Sequence, residues 1–144
     1  QDTRRLVAKN AHFIAFIPFY ARYPYEVHIL STEHKQSLLD FDDAAKHSLA
    51  EIMKVVMCKY DNLWNISLPY MMVMHQAPVD GGNYDYYHFH IEFYPPLRTK
   101  TKLKYLAGSE SGAGVFINDT LAEEKAEELR NSEPVTSIEG ILGK

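Results

Sequence analysis

The 144-residue sequence has little cysteine, a single tryptophan and no excess of basic residues. Cys58 is the only cysteine, which excludes an internal disulfide and a zinc site built on several cysteines. This favours a reducing, cytoplasmic location. A net charge of −4 excludes a generally basic surface of the kind that binds nucleic acid or anionic membranes. No apolar run approaches the roughly 20 residues of a membrane span.

Hydrophobic periodicity predicts an α+β domain with a mainly antiparallel sheet, one long helix and one short helix. Apolar residues recur at three- and four-residue steps in 40–63, which predicts the long helix, and Asp42 is its expected N-cap. Residues 121–130 predict the short, charged helix. We take residues 1–134 as one domain and 135–144 as a tail. Strands are predicted at 11–18 (apolar enough to be covered on both faces), 25–30, 69–75 and 86–94.

The segment YYHFHIEFYPP at 86–96 concentrates the residues with chemical potential. Strand alternation predicts that Tyr87, Phe89, Ile91 and Phe93 pack on the core. The opposite face then carries His88, His90 and Glu92 in a row, with neighbours about 6.6–6.8 Å apart. Imidazoles can attack phosphorus, transfer protons near neutral pH or bind a metal, and an adjacent carboxylate can orient them. The alternative is a hydrogen-bonded polar face without a catalytic role.

A metal site is a second hypothesis for this region. An antiparallel hairpin would bring His75 beside the row, so that His75, His90 and Glu92 supply three ligands to one ion. Nitrogen and oxygen ligands suit zinc and iron alike. The alternative is that His75 only caps the turn that follows it.

Basic residues alternate in LRTKTKLKY at 97–105. In an extended backbone Arg98, Lys100, Lys102 and Lys104 would point to one side and form a surface for phosphate or nucleotide phosphate. Lysines on an edge strand also guard against aggregation, and spacing alone does not separate the two interpretations.

Several other features receive no functional role. The methionines at the end of the third predicted strand are expected to fill the core: Met71, Met72 and Met74. The glycine-rich segment at 108–114 is expected to be a flexible connector. The remaining histidines share no pattern: His12, His28, His34 and His47.

Together these motifs resemble the carboxyl-terminal half of galactose-1-phosphate uridylyltransferases, and the resemblance extends over about residues 10–130. The blocks that carry it are, in chain order, NAHFIAFIPFYARYPYEVHIL, KYDNLW, SLPYMMVMHQAP, HFHIEFYPPLR and SGAGVFINDTLAEEKAEELR. Members of this family consist of two similar domains related to the histidine-triad nucleotide-binding fold, so the resemblance implies that fold here. The family's amino-terminal domain holds a Cys/His zinc site and a His-Pro-His motif whose second histidine becomes uridylylated. This sequence has neither His-Pro-His nor Cys-x-x-Cys.

The resemblance also implies roles for particular residues. His75 and His90 match ligands of a second ion, iron or zinc, whereas Glu92 stands where the best-described members have a histidine. In the histidine-triad pattern, His88 and His90 match the first and middle histidines. His90 is therefore the counterpart of the nucleophile, although the family treats this copy as non-catalytic.

Three positions match residues that contact the UDP-hexose across a dimer interface in the family: Lys104, Tyr105 and Glu110. Ser109 replaces a tyrosine expected beside that glutamate. The alternating basic row thus ends at a position that the family uses for nucleotide contact.

The implied activity is a ping-pong uridylyl transfer between UDP-glucose and galactose 1-phosphate, through a histidine of the amino-terminal half. The implied partners are UDP-hexose, hexose 1-phosphate, the amino-terminal half and a second subunit. By itself this chain is expected to fold without catalysing the transfer. Two rivals are a stand-alone histidine-triad hydrolase using His90 with help from His88, and a non-catalytic module that binds a nucleotide sugar or a metal.

Overall fold

The computed structural model describes residues 3–132, so the predicted tail at 135–144 lies outside the described residues. Within residues 3–132, five strands form an antiparallel sheet in the order β1-β2-β3-β5-β4, and two more form a separate hairpin. The sheet strands are β1 (Leu6–Lys9), β2 (Phe13–Phe16), β3 (Val27–Ser31), β4 (Met71–His75) and β5 (His90–Tyr94), and the hairpin strands are β6 (Leu97–Thr99) and β7 (Lys102–Leu103). The helices of this part of the chain are α1 (Asp43–Leu63), α2 (Gly108–Ala113) and α3 (Ala122–Asn131), with a 3-10 turn at Leu38–Asp40. The predicted α+β architecture with an antiparallel sheet is confirmed.

Helix α1 begins directly after Asp42, as predicted, because the Asp42 carboxylate accepts a hydrogen bond from the Ala45 backbone N–H at 2.8 Å. The apolar stripe of α1 packs against the sheet, and its buried apolar residues are Ala45, Leu49, Ile52, Val56 and Tyr60. Among the helices of residues 3–132, none combines the length and apolar composition that a membrane crossing needs.

Only one face of strand β2 is covered. Phe13 and Ala15 are fully buried in the core, whereas Ile14 and Phe16 are half-buried on the other face. The expectation of a strand covered on both faces is therefore wrong. Strand β1, which periodicity did not predict, pairs with β2 after a turn in which the Asn10 side-chain oxygen accepts the backbone N–H of Phe13 at 2.9 Å.

Strand β4 is an open edge of the sheet. Its methionines Met71, Met72 and Met74 expose 38 to 51% of their surface, so the expectation that they fill the core is wrong. The reason is position in the sheet, because β4 pairs only with β5 and is the last strand in the order. Both faces of β4 and its free backbone edge stay accessible within the described residues.

Helix α3 begins and ends within one residue of the predicted bounds and packs against β1 and α1. The buried Lys59 of α1 joins the two helices, since its ammonium donates to the carbonyls of Leu129, Arg130 and Ser132 at 3.0 to 3.1 Å. These carbonyls lie at the carboxyl end of α3, where helix geometry leaves them without backbone donors. Burial is the larger of two effects that lower the pKa of Lys59, and the positive charge of Arg130 is the smaller.

Tyr60→Phe should destabilise the fold by about 1–2 kcal/mol, because a buried hydrogen bond is lost and the carbonyl that accepted it keeps no donor in its place. The Tyr60 hydroxyl is fully buried and donates to the Tyr25 carbonyl at 2.8 Å. Tyr70→Phe is the matched control, since the Tyr70 hydroxyl is exposed and donates only to the Met57 sulfur. Urea unfolding followed by circular dichroism measures both free energies. Equal stabilities of the two variants would contradict the prediction.

Candidate metal site and substrate-contact residues

The strand register places four polar side chains on the face of the sheet opposite the core. His75 on β4 lies directly across from His90 on β5, and His28 on β3 lies across from Glu92 on β5. Residues directly opposite in an antiparallel pair share a face, with Cβ atoms about 4.5–5.5 Å apart. The hairpin that sequence alternation predicted between His75 and this strand is therefore present.

The carboxylate of Glu92 is the centre of this polar group. Its Oε2 atom lies 3.1 Å from His75 Nε2 and accepts a hydrogen bond from the Tyr94 hydroxyl. Its Oε1 atom lies 3.5 Å from His90 Nε2. The imidazoles of His75 and His90 stack with their centroids 4.5 Å apart. All three side chains are partly buried, which leaves the group accessible from the open face.

These donors fit a divalent ion. One ligand atom from each of His75, His90 and Glu92 lies within 4.8 Å of the other two. Bonds of about 2.0–2.2 Å to a tetrahedral zinc ion place its nitrogen and oxygen ligands about 3.3–3.5 Å apart, close to the 3.1 Å between His75 Nε2 and Glu92 Oε2. Among residues 3–132 this group contains three ligands, so a metal ion here would need at least one more from elsewhere.

Sequence reasoning missed two members of this neighbourhood. His28 is buried, and its Nε2 atom lies 2.8 Å from Glu26 Oε1 and 3.6 Å from Glu92 Oε1. Glu26 is also buried, and its other oxygen accepts the backbone N–H groups of Arg22 and Tyr23 at 2.6 and 3.1 Å. No pattern in the sequence shows which strand lies next to Glu26 and His28.

His88 does not join the group. Its Nε2 atom lies 2.9 Å from both the side-chain and the backbone oxygen of Ser31. Strand β5 begins only at His90, because residues 84–87 form a turn closed by Tyr87 N–H and the Tyr84 carbonyl at 2.7 Å. Tyr87 consequently stacks on His90 instead of packing on the core, which corrects the predicted alternation before Phe89. This segment also contacts the group through its backbone, because His90 Nδ1 donates to the His88 carbonyl at 2.9 Å.

The basic row at 98–104 is not one surface. The chain turns between β6 and β7, so the alternation breaks after Thr99. Arg98 pairs with Asp119, whereas the side chain of Lys104 is only 8% exposed. Lys104 donates to Glu110 Oε1 at 2.7 Å, to the Ile117 carbonyl at 2.8 Å and to the Arg22 carbonyl. The predicted phosphate surface of four cations is therefore wrong.

Glu110 organises the segment that was expected to be a flexible connector. It lies in helix α2, where its buried carboxylate accepts the backbone N–H groups of Ala107 at 2.7 Å and Ile117 at 3.1 Å. The hydrogen bond from Lys104 is the largest effect that lowers the pKa of Glu110 to about 2, and the two N–H groups lower it further. Gly114 ends the helix with φ of 66°, a conformation that favours glycine.

The three positions that match UDP-hexose contacts thus differ in accessibility. Lys104 and Glu110 form an internal ion pair, and each has further partners within the chain. Tyr105, by contrast, exposes 84% of its surface. A role for all three in substrate contact stays a prediction. Tyr105 is free to contact a ligand directly, whereas Lys104 and Glu110 would first have to give up contacts.

The sequence is similar to known proteins along nearly its whole length. The family model described as galactose-1-phosphate uridyl transferase, C-terminal domain, matches residues 1–139. The chain belongs to this family. The galactose-1-phosphate uridylyltransferase of Thermotoga maritima is 45% identical over 134 residues, which cover 92% of this chain and 42% of that protein. The chain therefore spans less than half the length of this relative.

Solved structures agree with the family and with its fold. A solved uridylyltransferase superposes with a TM-score of 0.84 and 40% identity, covering 91% of this chain and 41% of that one. A histidine triad nucleotide-binding protein from Sulfolobus tokodaii superposes with a TM-score of 0.63 over 89% of this chain and 82% of that one. At 14% identity the second match concerns the fold alone. The predicted histidine-triad-like fold of this uridyl transferase domain is confirmed.

Glu110→Gln should flatten the acid limb of the stability profile of this domain. The native pKa of about 2 lies below the ordinary value of 4.5, so between these pH values the unfolded chain binds the extra proton. Stability from this group is therefore present above about pH 4.5 and is lost as the pH falls towards 2. The variant cannot titrate here, so it starts less stable at neutral pH and loses less on acidification.

Urea unfolding at a series of pH values tests this expectation. Glu127→Gln, at an exposed position of α3, is the matched control and should follow the wild type. Parallel profiles of wild type and Glu110→Gln from neutral pH down to pH 2 would show that the ion pair does not carry the acid sensitivity.

Proposed function

We propose that this chain is the carboxyl-terminal domain of a UDP-glucose–hexose-1-phosphate uridylyltransferase. The observation that carries the proposal is the family match over residues 1–139. The grouping of His75, His90 and Glu92 on the open face of the sheet supports it, because these are the positions to which the family resemblance assigns metal ligation.

The proposed reaction is a double displacement. A histidine of the amino-terminal half attacks the uridylyl phosphorus of UDP-glucose, so that a P–N bond forms while the P–O bond to glucose 1-phosphate breaks. A phosphate oxygen of galactose 1-phosphate then attacks the same phosphorus and releases the histidine as UDP-galactose forms. Within this chain, Tyr105, Lys104 and Glu110 are the proposed UDP-hexose contacts.

The amino-terminal half is the proposed partner for the open edge at β4. Four consecutive residues there, Met71–Met74, expose apolar side chains beside a backbone edge that pairs with no other strand of residues 3–132. Such an edge pairs readily with another strand, and large exposed apolar patches mark interfaces. The relative from Thermotoga maritima has more than half of its length outside the matched region.

We further propose a homodimer, and a cytoplasmic location on the grounds of the lone cysteine.

Zinc or iron is the proposed occupant of the His75, His90 and Glu92 group. When bound, the ion would supply a cross-link between strands β4 and β5 and a positive charge on the open face. The residues themselves fit such an ion, since the stacked imidazoles and the carboxylate converge on one face of the sheet. This ion would stabilise the β4 edge, where the amino-terminal half is proposed to dock.

Removal of one ligand tests the metal site. His75→Ala should weaken Zn²⁺ binding by more than the 10- to 100-fold that changes outside the ligand shell typically cost. His47→Ala is the matched control, because His47 is an exposed histidine of α1 whose ring bonds the Asp43 carbonyl of the same helix. Competition with a chromophoric chelator measures both affinities. If the two variants bind Zn²⁺ equally, the proposed metal site is wrong.

A chimera tests the catalytic assignment. The matched segment of the Thermotoga maritima relative is replaced by this chain, and exchange between UDP-glucose and galactose 1-phosphate is measured. We expect exchange by the chimera and none by this chain alone, because the attacking histidine lies outside it. A folded chimera without exchange would overturn the proposal, and so would exchange by this chain alone at the rate of the unaltered relative.

The hydrogen bond from His90 Nδ1 to the His88 carbonyl supports a second candidate function, a stand-alone histidine-triad hydrolase that uses His90. It leaves Nε2 as the nitrogen that faces the open side, as a self-sufficient histidine-triad nucleophile requires. Against it, Nε2 lies 3.5 Å from the Glu92 carboxylate. Trapping of a labelled nucleotidyl group on this chain, abolished by His90→Ala, would favour this candidate.

Calorimetric UDP-sugar binding without turnover, in the chain and the chimera alike, would favour a non-catalytic module.

A further inference from the structure

A buried Glu–His pair lies next to the proposed metal ligands and has no place in the function described so far. Glu26 is 2% exposed and His28 is 4% exposed, so each side chain is almost entirely removed from water. Burial of two ionisable groups is costly unless each finds strong partners. Their partners therefore indicate what the pair does.

The pair is anchored on one side and directed at Glu92 on the other. One oxygen of Glu26 accepts two backbone N–H groups, from Arg22 and Tyr23, which hold the carboxylate in a single orientation. Its other oxygen lies 2.8 Å from His28 Nε2. An ionised carboxylate only accepts hydrogen bonds, so the Nε2–H group of His28 is the donor and the Glu26 carboxylate is the acceptor. Glu92 Oε1 lies 3.6 Å from the same nitrogen, within ion-pair distance but beyond a hydrogen bond.

We infer that His28 is a positioning residue that holds the Glu92 carboxylate in the orientation needed for metal binding, an inference that rests on the metal site proposed above. Glu92 Oε1 faces His28 and His90, whereas Oε2 faces His75 and Tyr94. His28, which Glu26 holds in place, opposes rotation of the carboxylate towards the Tyr94 side through the ion-pair contact of its Nε2 edge with Oε1. Outer partners of this kind orient ligands and tune metal affinity.

The surroundings of His28 argue against a role in packing alone. Its ring contacts Phe16 and Tyr20 edge-on with centroids 6.0 Å apart, and it stacks on His90 at 6.5 Å. An apolar side chain of similar size would satisfy these contacts. It would, however, remove the donor to Glu26 and the ion-pair contact with Glu92. A role as a fourth ligand is disfavoured too, since Nε2 already donates to Glu26.

Co²⁺ titration of the full 144-residue chain tests the inference, with the visible absorption of the bound ion as the readout. His28→Leu removes the donor and should weaken Co²⁺ binding about tenfold and change its visible spectrum, as changes in outer partners do. His28→Gln keeps an N–H donor on a side chain of similar reach and should bind nearly as the wild type does. His47→Leu, at an exposed position of α1, is the matched control for the loss of a histidine.

The outcomes separate this inference from the metal site on which it rests. If His75→Ala loses Co²⁺ while His28→Leu binds and absorbs as wild type, the metal site stands and the positioning role is wrong. If His28→Gln and His28→Leu both lose binding as completely as His75→Ala, His28 is a ligand and the inference is overturned. If wild type and His75→Ala are alike, both proposals fall together.

A metal-free measurement covers the case in which His28→Leu does not fold. Long-range ¹H–¹⁵N spectra of the wild-type chain should show the His28 proton on Nε2, protected from exchange with water by burial and by Glu26. His47, which is exposed, should exchange rapidly. A proton found on Nδ1 of His28, or rapid exchange at Nε2, would overturn the inference without reference to any metal.

Discussion

The carboxylate of Glu26 is the constraint on which the polar face of this domain depends. It is buried, and a buried carboxylate is tolerated only where hydrogen-bond donors surround it. Two donors are backbone N–H groups, from Arg22 and Tyr23, so the carboxylate fixes the turn that leads into β3. The third donor is His28, whose Nε2 atom also lies at ion-pair distance, 3.6 Å, from Glu92 across the strand pair. Local backbone structure and the candidate metal group are thus joined through one side chain.

The same turn also connects the two groups of proposed functional residues. The backbone N–H of Arg22 binds Glu26, while the Arg22 carbonyl accepts the ammonium of Lys104. Lys104 in turn pairs with Glu110, whose carboxylate caps helix α2. The proposed substrate-contact segment is therefore held against the chain segment that orients the metal group.

The candidate site was predictable where it lies on one strand or one hairpin. Alternation along β5 puts His90 and Glu92 on one face, and a hairpin partner brings His75 opposite, because antiparallel neighbours share faces. His28 was missed, since it reaches Glu92 only because β3 and β5 are adjacent in the sheet. The exposed methionines of β4 were misjudged for the same reason. A buried central strand and an exposed edge strand can have the same apolar composition.

By itself, the sequence determined the features that depend on neighbours along the chain: the helix that starts at Asp42, the shared face of His90 and Glu92, and membership of a family. Tertiary structure alone decided which strands are adjacent, which strand is left at the edge, and where the charge of Lys104 is neutralised. The physical reason is the distance along the chain over which each interaction acts. Caps and alternation act over two to four residues, whereas strand order and buried ion pairs join segments that no local pattern relates.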